Sequence, residues 1–171
     1  PQVIPIALGL VTADGRDLPL RADNDVPLDG DVLTFDTAAA SITFRDVDTR
    51  PVPSLLRGFS ASVRLDVDLS DDDLLVLFAA DSDAFNQWQS AQTVLMRQLI
   101  KGTEAAREGR TLPASERLVR ALSDFLDRRA EQDPAFAAQV LSLPTEADIA
   151  REIGSNVDPD AVLAARRSLT A

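Results

Sequence analysis

The rhythm of the apolar residues changes at Ser70, and that change constrains the fold more than any other feature. Up to Leu69 apolar and polar residues tend to alternate, whereas beyond Ser70 the apolar ones recur every three or four positions. Strand side chains repeat every two residues and helix side chains about every 3.6, so the two rhythms predict a β unit followed by a helical one. The expected fold class is all-β plus all-α in two domains: an antiparallel β-sandwich over 1–69, then an α-helical array over 70–171.

Within the β part, VIPIALGLV (3–11) reads as a strand, and Asp14-Gly15 supplies the reversal after it. Leu18 to Leu20 is a short return whose Pro19 confines it to an edge. ADNDVPLDGD (22–31) is turn chemistry, and VLTF (32–35) with ASITFRDV (40–47) predicts a second hairpin with Ile42 and Phe44 on one face. SVRLDVDL (62–69) alternates cleanly, which predicts a last strand with Val63, Leu65, Val67 and Leu69 inward. Short strands at such spacing argue for a small sandwich.

In the helical part each start carries a side-chain cap. Ser70 with Asp73, Asp83, Ser115, Asp133 before Pro134, Thr145 with Asp148, and Asp158 before Pro159 mark six helices. The second places Phe85, Trp88, Gln92, Leu95, Met96 and Leu99 on one side and ends near Gly109, while Gly154 ends the fifth. Short capped helices of this kind stack as antiparallel pairs in an array. The last helix runs to the C-terminus and the chain opens on Pro, so we expect a piece of a longer polypeptide whose helical domain is truncated.

Between the two rhythms lies PVPSLLRGFSASV (51–63). Pro51 and Pro53 force extended backbone, and Leu55, Leu56 and Phe59 are expected to anchor it in the sandwich core or under the first helix. Arg57 and Gly58 interrupt the alternation, which predicts a bulge or a crossing between layers.

Two absences bound the chemistry. The chain has no Cys and no His, which removes thiol nucleophiles, Ser-His-Asp catalysis and any zinc site using thiolate or imidazole. The net charge of −11 offers no basic stripe for nucleic acid or an anionic membrane, and no apolar run approaches the ~20 residues of a membrane span. The opening residues lack the pattern of a signal peptide. Asp66, Asp68 and Asp71 to Asp73 are acids in the number that Ca²⁺ requires, yet their placement fits a helix cap better. DNDVPLDGD (23–31) is a loop of acids without EF-hand spacing. No acid sits in an apolar stretch that would make it a general acid, and no glycine-rich phosphate loop exists. Phe85 with Trp88 on an apolar helix face fits core packing better than a binding platform. The residues alone give no catalytic, cofactor-binding or metal-ligating side chain.

Three segments add a family resemblance. PIALGLVTADGRDLPL (5–20), RPVPSLLRGFSASVRL (50–65) and ADSDAFNQWQSAQ (80–92), in that order, resemble the region after the catalytic domain in the bacterial aminopeptidase N family of zinc metallopeptidases. Gln87, Gln89 and Ser90 depart from the family's usual Arg, Glu and Gly, and Ser62 stands in place of Pro. The resemblance implies an immunoglobulin-like sandwich leading into the first helices of a large superhelical domain. It also implies a cytoplasmic parent enzyme that removes N-terminal amino acids from peptides. Its zinc would lie in an upstream domain bearing HExxH and GAMEN-type motifs, both absent here, so no catalytic residue is carried over. This chain would then be a non-catalytic linker whose partners are the parent's own catalytic and C-terminal helical domains. Segment 50–65 and the helix from Asp83 would be its rigid joint. A stand-alone protein-binding module and a carboxylate-based hydrolase are the rival readings.

Overall fold

The structure is a computed structural model that describes residues 3–23 and 28–170. It divides into two compact units, Pro1–Gln89 and Ser90–Ala171.

The first unit is built on β1 (Ile4–Val11), β2 (Leu28–Asp29), β3 (Val32–Phe35) and β4 (Val52–Leu55), antiparallel in the order β2-β3-β1-β4. β1 is shared along its length: Ile4 to Ala7 pair with Phe35 to Val32, and Leu8 to Val11 pair with Leu55 to Val52. Because β4 is an edge strand, Pro53 interrupts no second ladder. Five consecutive residues, Ala7 to Val11, are buried, so both faces of β1 are covered there. Helix α1 (Asp71–Ala80) supplies part of that cover, since Leu77 closes a core cluster with Val11 and Val52, bordered by Leu69, Val76 and Ala80. Ser70 and Asp73 form a reciprocal capping box at its start.

Two sequence expectations in this unit change. Residues 62–69 form no ladder among the described residues, and although Val63, Val67 and Leu69 are half-buried, Leu65 is exposed. Alternation states which side chains can face inward, while a strand also needs a partner backbone within reach. Likewise β3 pairs with β1 and β2, whereas residues 40–47 contribute a single bridge, Ala22 to Phe44. The turn after β1 is as expected, with Thr12 N donating to Arg16 O at 2.9 Å and Leu18 N to Leu10 O at 2.9 Å.

Helix α2 (Ala84–Arg107) begins in the first unit, and its remainder forms the second with α3 (Glu116–Arg129), α4 (Pro134–Leu141), α5 (Glu146–Ile153) and α6 (Pro159–Thr170). The expected caps are all present. Ser115 Oγ accepts from Leu118 N, Asp133 Oδ1 from Phe136 N and Asp158 Oδ1 from Ala161 N, while Thr145 and Asp148 form a second capping box. The helices meet along apolar seams. One joins Leu99 of α2, Ile149 of α5 and Val162 of α6, bordered by Met96, Ile153, Val157 and Leu169. Another brings the rings of Phe125 and Phe136 to 5.8 Å, edge to face. Gln92 Nε2 donates to Val140 O and Ser142 O, both at 3.1 Å, and so satisfies carbonyls at the end of α4.

The units differ in charge. Residues 1–89 hold 16 acids and 6 bases, and residues 90–171 hold 12 acids and 11 bases.

Candidate functional site

The densest polar chemistry lies in the first unit, where the turn after β4 meets the corner between α1 and α2. Three residues of this turn have left-handed backbone: Leu56 at φ 60°, Gly58 at 60° and Phe59 at 55°. Leu56 ends the two-residue alternation of β4, and Arg57 folds back over β1. Its guanidinium occupies the space that a side chain at position 9 would need, since a Cβ on Gly9 would fall 2.1 Å from Arg57 Cζ. Only glycine lets the guanidinium lie that close to the strand.

Every reach of that guanidinium has a partner. Nε donates to Ser54 Oγ at 2.9 Å, and Nη1 and Nη2 grip Asp17 Oδ2 and Oδ1 at 3.0 and 2.9 Å. Nη2 also lies 3.1 Å from Asp81 Oδ1, whose side chain is fully buried. Asp81 Oδ1 in turn accepts from Asp83 N at 3.0 Å, and Asp17 Oδ2 accepts from Ser82 Oγ at 2.8 Å. Asp83 divides its carboxylate: Oδ1 caps α2 by accepting from Asn86 N at 2.9 Å, and Oδ2 accepts from Gly58 N at 2.8 Å. Asn86 Nδ2 completes the ring, donating to Ser54 Oγ at 2.8 Å and Leu55 O at 3.0 Å. At the far side of the turn, Ser60 Oγ accepts from Ala7 N at 2.8 Å.

This arrangement is a clamp. Burial alone would push the Asp17 carboxyl up, but hydrogen bonds from Arg57 and Ser82 outweigh it and hold the group below its usual range. Burial likewise acts to lower Arg57, and its bonds to Asp17 and the charge of Asp81 reverse the direction. Asp17 thus stays ionised against a permanently charged guanidinium, and neither has a proton to exchange near neutral pH. The network fixes β4, the turn and the start of α2 to one another.

The acids singled out in the sequence are placed as follows. Asp73 serves the capping box and accepts from Arg50 Nη1 and Nη2 at 2.7 and 3.0 Å, while Asp66, Asp68 and Asp72 lie on the surface. In the acidic loop 23–31, residues 24–27 lie outside the described residues. Among the described residues no three acids are grouped to hold a metal ion.

The aromatic expectations need correction. Phe59 does not anchor the turn in a core: it is 67% exposed, because the left-handed backbone resets the alternation and Arg57 takes the buried place. Its ring packs at a tilt against Phe85 with centroids 4.0 Å apart, and Phe85 lies 5.6 Å from Trp88, both half-buried. The buried side of the first turns of α2 is polar instead, formed by Asn86, Gln87 and Ser90. Sequence reasoning missed Arg57, Asp81 and Asn86. The available signal was an arginine inside an apolar segment, which needs a buried counter-charge.

Comparison with known proteins places this geometry in context. A family model described as a domain of unknown function (DUF3458) with an Ig-like fold matches residues 1–68, and one described as DUF3458_C, a domain of unknown function with ARM repeats, matches residues 71–171. The chain is 40% identical over 164 residues to aminopeptidase N of Caulobacter vibrioides, covering 95% of this chain and 17% of that protein. It is 32% identical to aminopeptidase N of Haemophilus influenzae, over 98% of this chain and 19% of the relative. It is also 32% identical to aminopeptidase N of Escherichia coli K12, over 99% of this chain and 19% of the relative. The chain therefore spans less than a fifth of the curated relatives it matches. A crystal structure of Legionella pneumophila aminopeptidase A in complex with aspartic acid superposes with a TM-score of 0.71 at 23% identity, over 97% of this chain and 18% of that one, a likeness of fold. The fold is accordingly an Ig-like unit followed by an ARM-like helical unit.

Proposed function

From a chain that belongs to the DUF3458_C family, with an Ig-like segment before its ARM repeats, we propose a non-catalytic part of a zinc-dependent aminopeptidase. Its place in the parent is that of a linker, with the Ig-like unit following the catalytic domain and the helices beginning the C-terminal domain. The parent removes N-terminal amino acids from peptides in the cytoplasm. The carrying observation is that relatives named aminopeptidase N align with 95–99% of this chain at 32–40% identity while it accounts for 17–19% of their length.

The chemistry of the chain agrees with that division of labour. Catalytic zinc in peptidases is held by imidazole together with carboxylate, and this chain has no His. Its residues do not fit a catalytic zinc ion, and no step of peptide cleavage is derived through them. What they supply is stiffness: the clamp around Arg57 ties β4 to the start of α2 through seven polar side chains, those of Asp17, Ser54, Arg57, Asp81, Ser82, Asp83 and Asn86.

The gene's reading frame is the decisive test. An HExxH motif upstream of residue 1, followed by a further Glu, is expected. A frame without it ends the proposal. The purified 171-residue chain is expected to turn over no aminoacyl arylamide with or without added zinc, while the full-length product does so and loses activity to a chelator.

A further inference from the structure

The aromatic cluster on the turn after β4 has an unusual build. Phe59 is 67% exposed and has a φ of 55°, a conformation that bulky side chains rarely adopt. The backbone on either side is held rigid: Arg57 is clamped by Asp17 and Asp81, Gly58 N donates to Asp83, and Ser60 Oγ accepts from Ala7 N. From beneath, Phe85 supports the ring at 4.0 Å, with Trp88 behind it. Strained backbone persists only where its surroundings over-determine it, and here they fix an apolar side chain facing water. A preorganised aromatic on a rigid base loses little conformational freedom on docking, which is the property of an interface anchor.

We propose that Phe59, backed by Phe85 and Trp88, is an anchor for an apolar socket with a basic rim, located in the part of the parent polypeptide outside these 171 residues. This rests on the aminopeptidase reading above. Two observations choose the occupant. The relatives are more than five times the length of this chain, so most of the parent is tethered nearby at high effective concentration. Residues 1–89 carry 16 acids and 6 bases, so a basic rim is complementary. A second copy of this unit would bring the same negative charge against it.

The test places p-benzoylphenylalanine at position 59 of the full-length parent, which an exposed site accommodates. Irradiation followed by proteolysis and mass spectrometry is expected to give one intramolecular cross-link, to a peptide outside residues 1–171 with Arg or Lys beside its apolar residues. Phe59→Ser in the same protein should then speed hydrogen exchange of that peptide about tenfold or more. Cross-links confined to residues 1–171, cross-links to a second molecule, no cross-link at all, or unchanged exchange would each overturn the anchor. A reading frame that encodes no further chain would instead overturn the aminopeptidase reading, so the two failures are told apart.

Discussion

The two units solve the same problem of buried backbone in different ways. In the helical unit each helix satisfies its own amides, capping side chains finish the starts, and aliphatic seams such as Leu99–Ile149–Val162 hold the elements together. In the sheet unit β4 is four residues long, and the chain that follows it makes only a short 3-10 turn, Arg57–Phe59, broken by the left-handed Gly58, so side chains must take over. Arg57, Asp81, Ser54 and Asn86 do this in a largely dry setting, with charge-assisted contacts at Arg57 and a neutral hydrogen bond from Asn86 to Ser54. The helical unit therefore spreads its stability over many small apolar contacts, while the sheet unit adds to its apolar core one concentrated polar network.

That contrast predicts where single substitutions do the most damage. Asp81→Ala removes a buried counter-charge of Arg57, leaving only Asp17, and also the acceptor of the Asp83 amide, and should destabilise the sheet unit by about 4 kcal/mol. Urea titration followed by Trp88 fluorescence reads it, and a loss below about 1 kcal/mol would break the claim of a concentrated network. Leu99→Ala, in a buried helical seam, should cost about 3 kcal/mol by far-ultraviolet circular dichroism. If it costs more than Asp81→Ala, the comparison is inverted. Gly9→Ala should expel the guanidinium and cost about 2 kcal/mol. Combined with Asp81→Ala it should add little, because both remove the same interaction, and full additivity would show that the two sites are independent.

The smallest expected effect sets one capping box against the other. The hydrogen bond from Arg50 above all, then those of Ser70, lower the Asp73 pKa from 3.8 to about 2 against the opposing push of burial. A folded value below the unfolded one means that the contribution is complete above about pH 4 and fades as the pH falls towards 2. With Arg50 exposed to solvent, we expect about 1 kcal/mol, removed by Asp73→Asn. Asp148 in the helical unit is also lowered, by Thr145 first and then by Arg151, but it is open to water. Asp148→Asn should flatten the acid limb of the stability profile less than Asp73→Asn does, and an equal or larger effect would remove the distinction between the boxes.

What the sequence discloses follows the same divide. Helix starts are local statements: Ser115, Asp133, Thr145 and Asp158 each reach only three residues ahead, so the residue types at that spacing suffice. The sheet is non-local. Nothing in SVRLDVDL tells whether another backbone lies beside it, and its alternation predicts a strand where no ladder forms among the described residues. The clamp was the least legible feature, since Arg57 meets Asp17 across 40 residues and Asn86 meets Ser54 across 32. Phe59 misled for a related reason, because hydrophobicity does not reveal a left-handed backbone that turns the side chain outward.

Asp83 serves two elements at once. One of its oxygens starts α2 and the other holds the amide of Gly58, so the first residue of the helix is indexed to the end of β4. A single residue added between Asp81 and Asp83 would part the Asp83 amide from Asp81 Oδ1, which could then no longer serve both that amide and Arg57.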